Sequence, residues 1–324
     1  IYRAPLGVAL LAAELLYIAD FEIEVLVPAF IASVIAYCIF ASFVGWSPIF
    51  ECPDQYVFHD PLLLPLFMVL GLMCGVYGIL YVKTFYFVRD QFRRLNIPPH
   101  LKPAIGGFFV GIIGMFIPQA LGTGYGWLQL MMCNEFIYLP LIILIILPIA
   151  KILATSFSIG SGGSGGVFAP ALVIGGSIGA LLWAICKAIY PDFNVSPAVF
   201  IIVGMMAFFG GVGKVPIAVI LMVSEMTGTY SLLVPSMIAT TLAYVITGRN
   251  TIYENQLRTR VESPAHRGEY FIPLLRMILV KEAMTKEVIT VSPDSTIAEV
   301  AEIMSKNKIR GIPVVDEENN LVGI

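Results

Sequence analysis

Arg3-Ala-Pro-Leu-Gly-Val-Ala-Leu-Leu-Ala-Ala-Glu14 and Lys214-Val-Pro-Ile-Ala-Val-Ile-Leu-Met-Val-Ser-Glu225 are two copies of one pattern. Each runs from a basic residue through a small apolar residue to a proline, then through apolar residues to a glutamate nine positions after that proline. Proline suits the first position of a helix, where its missing N–H has no partner to lose. At 1.5 Å per residue the apolar run carries the glutamate about 13 Å from the helix start. Two such units separated by about 200 residues predict duplicated halves, a construction found in membrane transporters. Coincidence among apolar helices is the competing explanation, because such helices draw on a small alphabet.

The surroundings are those of a membrane protein. The chain has 324 residues, 58% hydrophobic and 13% charged, with a mean hydropathy of +0.87. About a quarter of an ordinary soluble protein is charged, so half of the usual solvating surface is missing. The net charge of −3 argues against a nucleic-acid binder. Charge is also unevenly distributed: 20 charged residues fall in positions 1–248 and 21 in positions 249–324. A lipid-embedded body followed by a water-soluble piece is the reading.

Residues 25–50, 61–82, 103–134, 152–186 and 193–213 carry no Asp, Glu, Lys or Arg. About 20 apolar residues cross a bilayer as a helix, so the longest of these segments hold more than one. Glycine and proline interrupt them, as at Gly106-Gly107, Pro118 and Gly122-Thr-Gly-Tyr-Gly126. Irregular backbone at membrane depth survives only where protein or a water-filled cavity satisfies it. A bundle of tilted, broken helices is therefore expected. Lys83, Arg89, Arg93, Arg94 and Lys102 lie in one connection, whereas residues 46–60 hold Glu51, Asp54 and Asp60 with no basic residue. The positive-inside rule places the first connection, and the C-terminal piece with its basic run 249–276, in the cytoplasm.

Gly160-Ser-Gly-Gly-Ser-Gly-Gly-Val-Phe-Ala-Pro170 separates two apolar helical runs. Five glycines in seven positions let backbone N–H groups turn inward. A helix opening near Phe168, with Pro170 in its first turn, presents unpaired donors and about half a positive charge. In a low-dielectric interior that is a site for a small anion. Lys151 and Lys187 flank the stretch at a distance in sequence, which predicts no full positive charge beside the anion. A permeant ion has to leave as well as bind. The same composition also fits a flexible linker or a tight helix-packing surface. Gly210-Gly-Val-Gly-Lys214 is followed by Val215, so it lacks the hydroxyl of a phosphate-binding loop. Cys38, Cys52, Cys74, Cys133 and Cys186 form no paired motif, and His59, His100 and His266 no metal cluster. No nucleophile–base constellation stands at usable spacing, so no enzyme is expected.

Gly166-Val-Phe-Ala-Pro170 resembles the GxFxP signature of the CLC family of chloride channels and chloride/proton exchangers. The two repeats resemble that family's paired helices, residues 228–247 the helix after the second, and Thr247-Gly-Arg-Asn-Thr-Ile-Tyr253 the run into its last membrane helix. The resemblance covers residues 1–262. It implies an all-α polytopic membrane protein, an inverted-repeat bundle in the cell membrane, working as a homodimer with one pore per subunit. It further implies that chloride is held by backbone at Gly166, Val167, Phe168, Ala169 and Pro170, with N–H groups from Val167 and Phe168, and by the Tyr253 hydroxyl. No cofactor is required. The family's GSGIP and GREGP motifs, which bear its serine and gating glutamate, are not in this sequence. The chain opens at Ile1 within an apolar run and stops at Ile324 within a strand, so it reads as a fragment at both ends.

Exchangers of the family often carry two adjacent glutamates at the end of the first repeat, the second an internal proton acceptor. Here the pair is Glu14-Leu15. Leucine carries no proton, which favours channel-like conduction; chloride/proton antiport is the alternative, with a fluoride exporter or a nucleotide-sensing membrane scaffold behind it. For Glu14 and Glu225 the resemblance implies a structural role, anchoring backbone groups, with proton transfer as the other reading.

Residues 280–324 resemble part of a CBS domain through Ile309-Arg-Gly-Ile-Pro-Val-Val-Asp316, after an amphipathic helix starting near Ile297. Strands are expected at 288–291, 309–315 and from 321, with 263–279 as the linker. The resemblance implies an α/β lobe that pairs and that binds an adenine nucleotide or serves only to dimerise.

Overall fold

The computed structural model describes residues 2–50, 58, 60–136, 139–266 and 278–324. Cys52, Glu51, Asp54, His59 and residues 267–277 of the linker lie outside these. Two compact units are present, Ile1–Ser263 and Pro264–Ile324.

The first unit is helical. Its elements are α1 (Pro5–Glu14), α2 (Leu26–Val44), α3 (Leu64–Arg94), α4 (Lys102–Phe116), α5 (Tyr125–Met132), α6 (Leu141–Gly160), α7 (Phe168–Ile189), α8 (Pro197–Gly213), α9 (Pro216–Thr227) and α10 (Leu233–Thr247). Among the described residues, five helical segments are long and apolar enough to cross a bilayer: Ile23–Val44, Pro61–Arg94, Pro99–Phe116, Leu141–Gly160 and Phe168–Ile189. The shorter α1 and α9, of 10 and 12 residues, span only about 15–18 Å, too short to cross a hydrocarbon layer of about 30 Å. Val27, Ile31, Val34, Ile35, Ile39 and Phe43 of α2 all point outward, as expected of a lipid-facing helix.

The core lies around α8, every residue of which is buried. It is hydrophobic on all sides because α3, α7, α9 and α10 pack around it. Gly175 and Gly179, one turn apart on α7, meet α8 at Gly204 and at the Phe200 carbonyl. Small residues at this spacing let two membrane helices approach backbone to backbone.

The duplicated pattern is duplicated in backbone conformation too. Arg3 and Lys214 are both left-handed, with φ of 48° and 59°. Ala4 and Val215 follow at φ −132° and −131°, and each next residue is the proline that opens its helix. A side chain rarely adopts positive φ without support. Arg3 donates from Nη1 to the Ser47 carbonyl at 2.6 Å. Lys214, buried, donates from Nζ to Thr247 Oγ1 at 2.6 Å and stands 4.4 Å from the centre of the Tyr244 ring.

α1 and α9 lie antiparallel. Glu14, closing α1, accepts hydrogen bonds from the Ile217 and Ala218 N–H groups at 3.2 and 2.7 Å. Glu225, near the end of α9, accepts from Leu6 and Gly7 at 3.2 and 2.8 Å. Each helix thus carries the anionic cap for the positive end of the other, at equivalent positions. Gly7 faces the Met222 backbone, where a β-carbon would overlap it.

In the second unit, α11 (Val280–Ala283) and α12 (Ile297–Asn307) precede β1 (Val314–Val315) and β2 (Leu321–Gly323), which pair antiparallel. Thr296 caps α12: its hydroxyl accepts from Glu299 N–H, and Glu299 accepts from Thr296 N–H at 2.8 Å. The bond from the Thr296 N–H, with a contribution from the Thr296 side chain, holds the exposed Glu299 carboxyl below its ordinary pKa. The strand expected at 288–291 is reduced to a single bridge from Val291 to Val314. That at 309–315 shrinks to its last two residues. Alternating apolar residues form a ladder only where a partner of matching length runs alongside, and β1 offers two residues.

Candidate functional site

Gly162, at φ +94°, turns the chain out of α6, and the loop ends at Val167, the residue before α7. No side chain caps α7 and its first turn holds no acidic residue. Its leading N–H groups remain for another acceptor. Phe168 is buried, gripped edge-on by Tyr2 (centroids 4.9 Å apart) and by Phe209 (4.8 Å). The two aromatic contacts fix the start of α7 against α8, so its N–H groups keep one direction.

Gly166, Ala169 and Pro170 line a cavity of about 370 Å³ together with Tyr2, Thr123 and Lys151. Tyr253 faces a different cavity, of about 380 Å³, which it shares with Leu15. Tyr2 lines the first of these cavities, packs on Phe168 and lies in electrostatic range of Tyr253. Tyr2 precedes the first repeat and carries no motif, so nothing in the sequence singles it out.

The distance expected between the glycine stretch and a basic side chain is not observed. Lys151 is 2% exposed and lines the same cavity as Gly165 and Gly166. The reason is the hairpin made by α6 and its loop. Lys151, Thr155 and Ser158, spaced by four and three, form one face of α6, and the loop doubles back along it. Lys151 Nζ donates to the carbonyls of Ala120 and Gly122 at 3.0 and 2.7 Å. Among the described residues no carboxylate stands within ion-pair distance of it. Lys151 therefore gives this cavity a positive edge while holding the irregular 120–122 backbone in place. Lys151→Met is expected to cost about 2 kcal/mol by orphaning those two carbonyls, read as a lower midpoint in detergent unfolding; an unchanged midpoint would refute that tether.

Glu14 and Glu225 do not face either cavity; their oxygens serve the α1 and α9 backbone as described above. Lys187 bonds the Phe193 carbonyl at 3.0 Å, near the far end of α7.

Several long apolar helices, with two half-length helices packed as an inverted pair, define a polytopic integral membrane protein. The sequence profile of the voltage gated chloride channel family matches residues 1–248, and that of the CBS domain residues 280–324. The chain belongs to the voltage gated chloride channel family.

Among curated proteins, it is 32% identical over 258 residues to the uncharacterized protein MJ0305 of Methanocaldococcus jannaschii, covering 78% of this chain and 61% of that protein. It is 30% identical to the putative chloride channel protein ClcB-like of Ralstonia nicotianae, covering 79% and 59%. It is also 30% identical to the H(+)/Cl(−) exchange transporter ClcA of Vibrio campbellii, covering 72% and 50%. The chain thus spans 50–61% of the length of these relatives. Among solved structures, a slow cyanobacterial Cl−/H+ antiporter superposes with a TM-score of 0.61 at 26% identity, over 77% of this chain and 59% of that one. A CLC-type fluoride/proton antiporter shares the fold, with a TM-score of 0.67 at 23% identity, over 80% and 62%.

Proposed function

We propose that this protein conducts chloride across the cell membrane, with the start of α7 and the Tyr253 hydroxyl as its anion contacts. The observation that carries the reading is the uncapped α7 N-terminus, oriented by Tyr2 and Phe209 and reached through a cavity lined by Gly166, Ala169 and Pro170. Backbone N–H groups at a helix start solvate an anion without trapping it, and they need no cofactor. Relatives named as chloride channels and chloride exchangers support chloride as the ion. A homodimer with the CBS lobe in the cytoplasm completes the proposal.

Leu15, in the cavity of Tyr253, favours channel-like conduction because it has no proton to exchange. The relatives named H(+)/Cl(−) exchange transporter favour antiport instead. Liposomes holding the protein under a chloride gradient separate the two: conduction predicts robust chloride flux with no uphill proton movement, and coupled alkalinisation or acidification would establish exchange. Tyr253→Phe removes one hydroxyl donor to a charged partner and is expected to weaken chloride binding about tenfold by calorimetry. Unchanged binding would remove Tyr253 from the site.

A further inference from the structure

The cavity of Tyr253 and Leu15 is also lined by Tyr86, Arg89, Glu254 and Gln256. Its two charged lining residues are 165 positions apart in sequence and paired: Arg89 donates to both Glu254 oxygens, through Nη1 to Oε2 and through Nη2 to Oε1 at 3.3 Å. Arg89 is held from behind. Its guanidinium lies 4.4 Å from the centre of the Tyr86 ring, and the Tyr86 hydroxyl donates to the Ile252 carbonyl at 2.8 Å. Asp90 takes a further bond from Nη2 at 3.0 Å. The Arg89 side chain is 17% exposed and that of Glu254 55%, so the carboxylate is the more accessible partner at the cavity.

We propose that Glu254 sets the rate of anion access to Tyr253 by masking the Arg89 cation at the mouth of this cavity. The proposal rests on the chloride-pathway reading above. An ion pair whose carboxylate is 55% exposed contributes little to stability, so this one is not explained by holding the fold together. In a cavity with low-dielectric walls, a single charge changes the local anion concentration several-fold. With the pair intact the lining is neutral. Glu254 and Arg89 line the same cavity as Tyr253, so an anion approaching Tyr253 through that cavity meets this pair. Arg93 is the other cation in electrostatic range of Glu254, and Asp90 the other anion; neither lines the cavity.

The test is the initial rate of chloride efflux from liposomes at low ionic strength and again at 1 M impermeant salt. In an Asp90→Asn background, where Glu254 is the one carboxylate still bonded to Arg89, Glu254→Gln is expected to raise the low-salt rate about threefold and Arg89→Gln to lower it about threefold, as one uncompensated charge at close range predicts. Both effects should shrink at high salt, where the screening length falls to about 3 Å. Detergent melting temperatures of the two variants should stay close to the parent's. Shifts in the same direction, or no shift, would overturn the masking role and leave chloride transport standing. Absence of any chloride efflux from the unmodified protein would instead overturn the transport reading beneath it.

Discussion

Replacing Glu14 by alanine is expected to destabilise the membrane unit by about 3 kcal/mol, and replacing Glu225 by about 2 kcal/mol, the scale for hydrogen bonds to a charged group. Each carboxylate accepts two N–H groups from the second and third residues of the opposing helix: Ile217 and Ala218 for Glu14, Leu6 and Gly7 for Glu225. Those donors have no partner within their own helix. Away from water they would remain unsatisfied once the carboxylate is gone. Glu14 is 6% exposed and Glu225 only half-buried, so water can compensate better at the second site and its loss is smaller. Glutamine at either position keeps one acceptor oxygen and should recover part of the loss. The measurement is unfolding by denaturant in detergent, followed by tryptophan fluorescence. If Glu14→Ala left the midpoint in place, reciprocal capping would not be what joins α1 to α9.

Gly179→Val is expected to cost about 3 kcal/mol, at the upper end for overpacking, since the obstacle is backbone. A β-carbon at Gly179 would come within 2.6 Å of the Phe200 carbonyl carbon, and one at Gly175 within 2.6 Å of Phe208 Cβ. Neither α7 nor α8 can yield locally, because α8 is enclosed along its whole length. The strain would pass to the N-terminus of α7 and tilt Phe168 away from Tyr2. Lower stability should therefore come with weaker chloride binding in the folded fraction, and Gly179→Ala should show a smaller version of both. Normal stability for Gly179→Val would show that the two helices are not in backbone contact.

Much of the molecule was written locally in the chain. Proline at the first turn, an apolar run and a glutamate nine residues on determine α1 and α9 as short apolar helices with an acidic residue at or near the end. Five glycines before Val167-Phe-Ala-Pro170 determine a loop that feeds a helix start. Charge-free runs of 20 residues or more determine a lipid-embedded body, because each follows from local composition and the thickness of a bilayer.

Tertiary structure decided which ends meet. That Glu14 caps α9 and Glu225 caps α1 depends on antiparallel packing between segments about 200 residues apart, and no local pattern encodes a partner at that separation. The hairpin of α6 and its loop brought Lys151, expected far from the glycine stretch, to the wall of its cavity. Arg89 and Glu254 became a pair only when the end of α3 met the segment after α10. Short-range geometry follows from covalent chemistry and side-chain spacing; the electrostatics of a cavity follow from which distant charges the packed helices leave facing it.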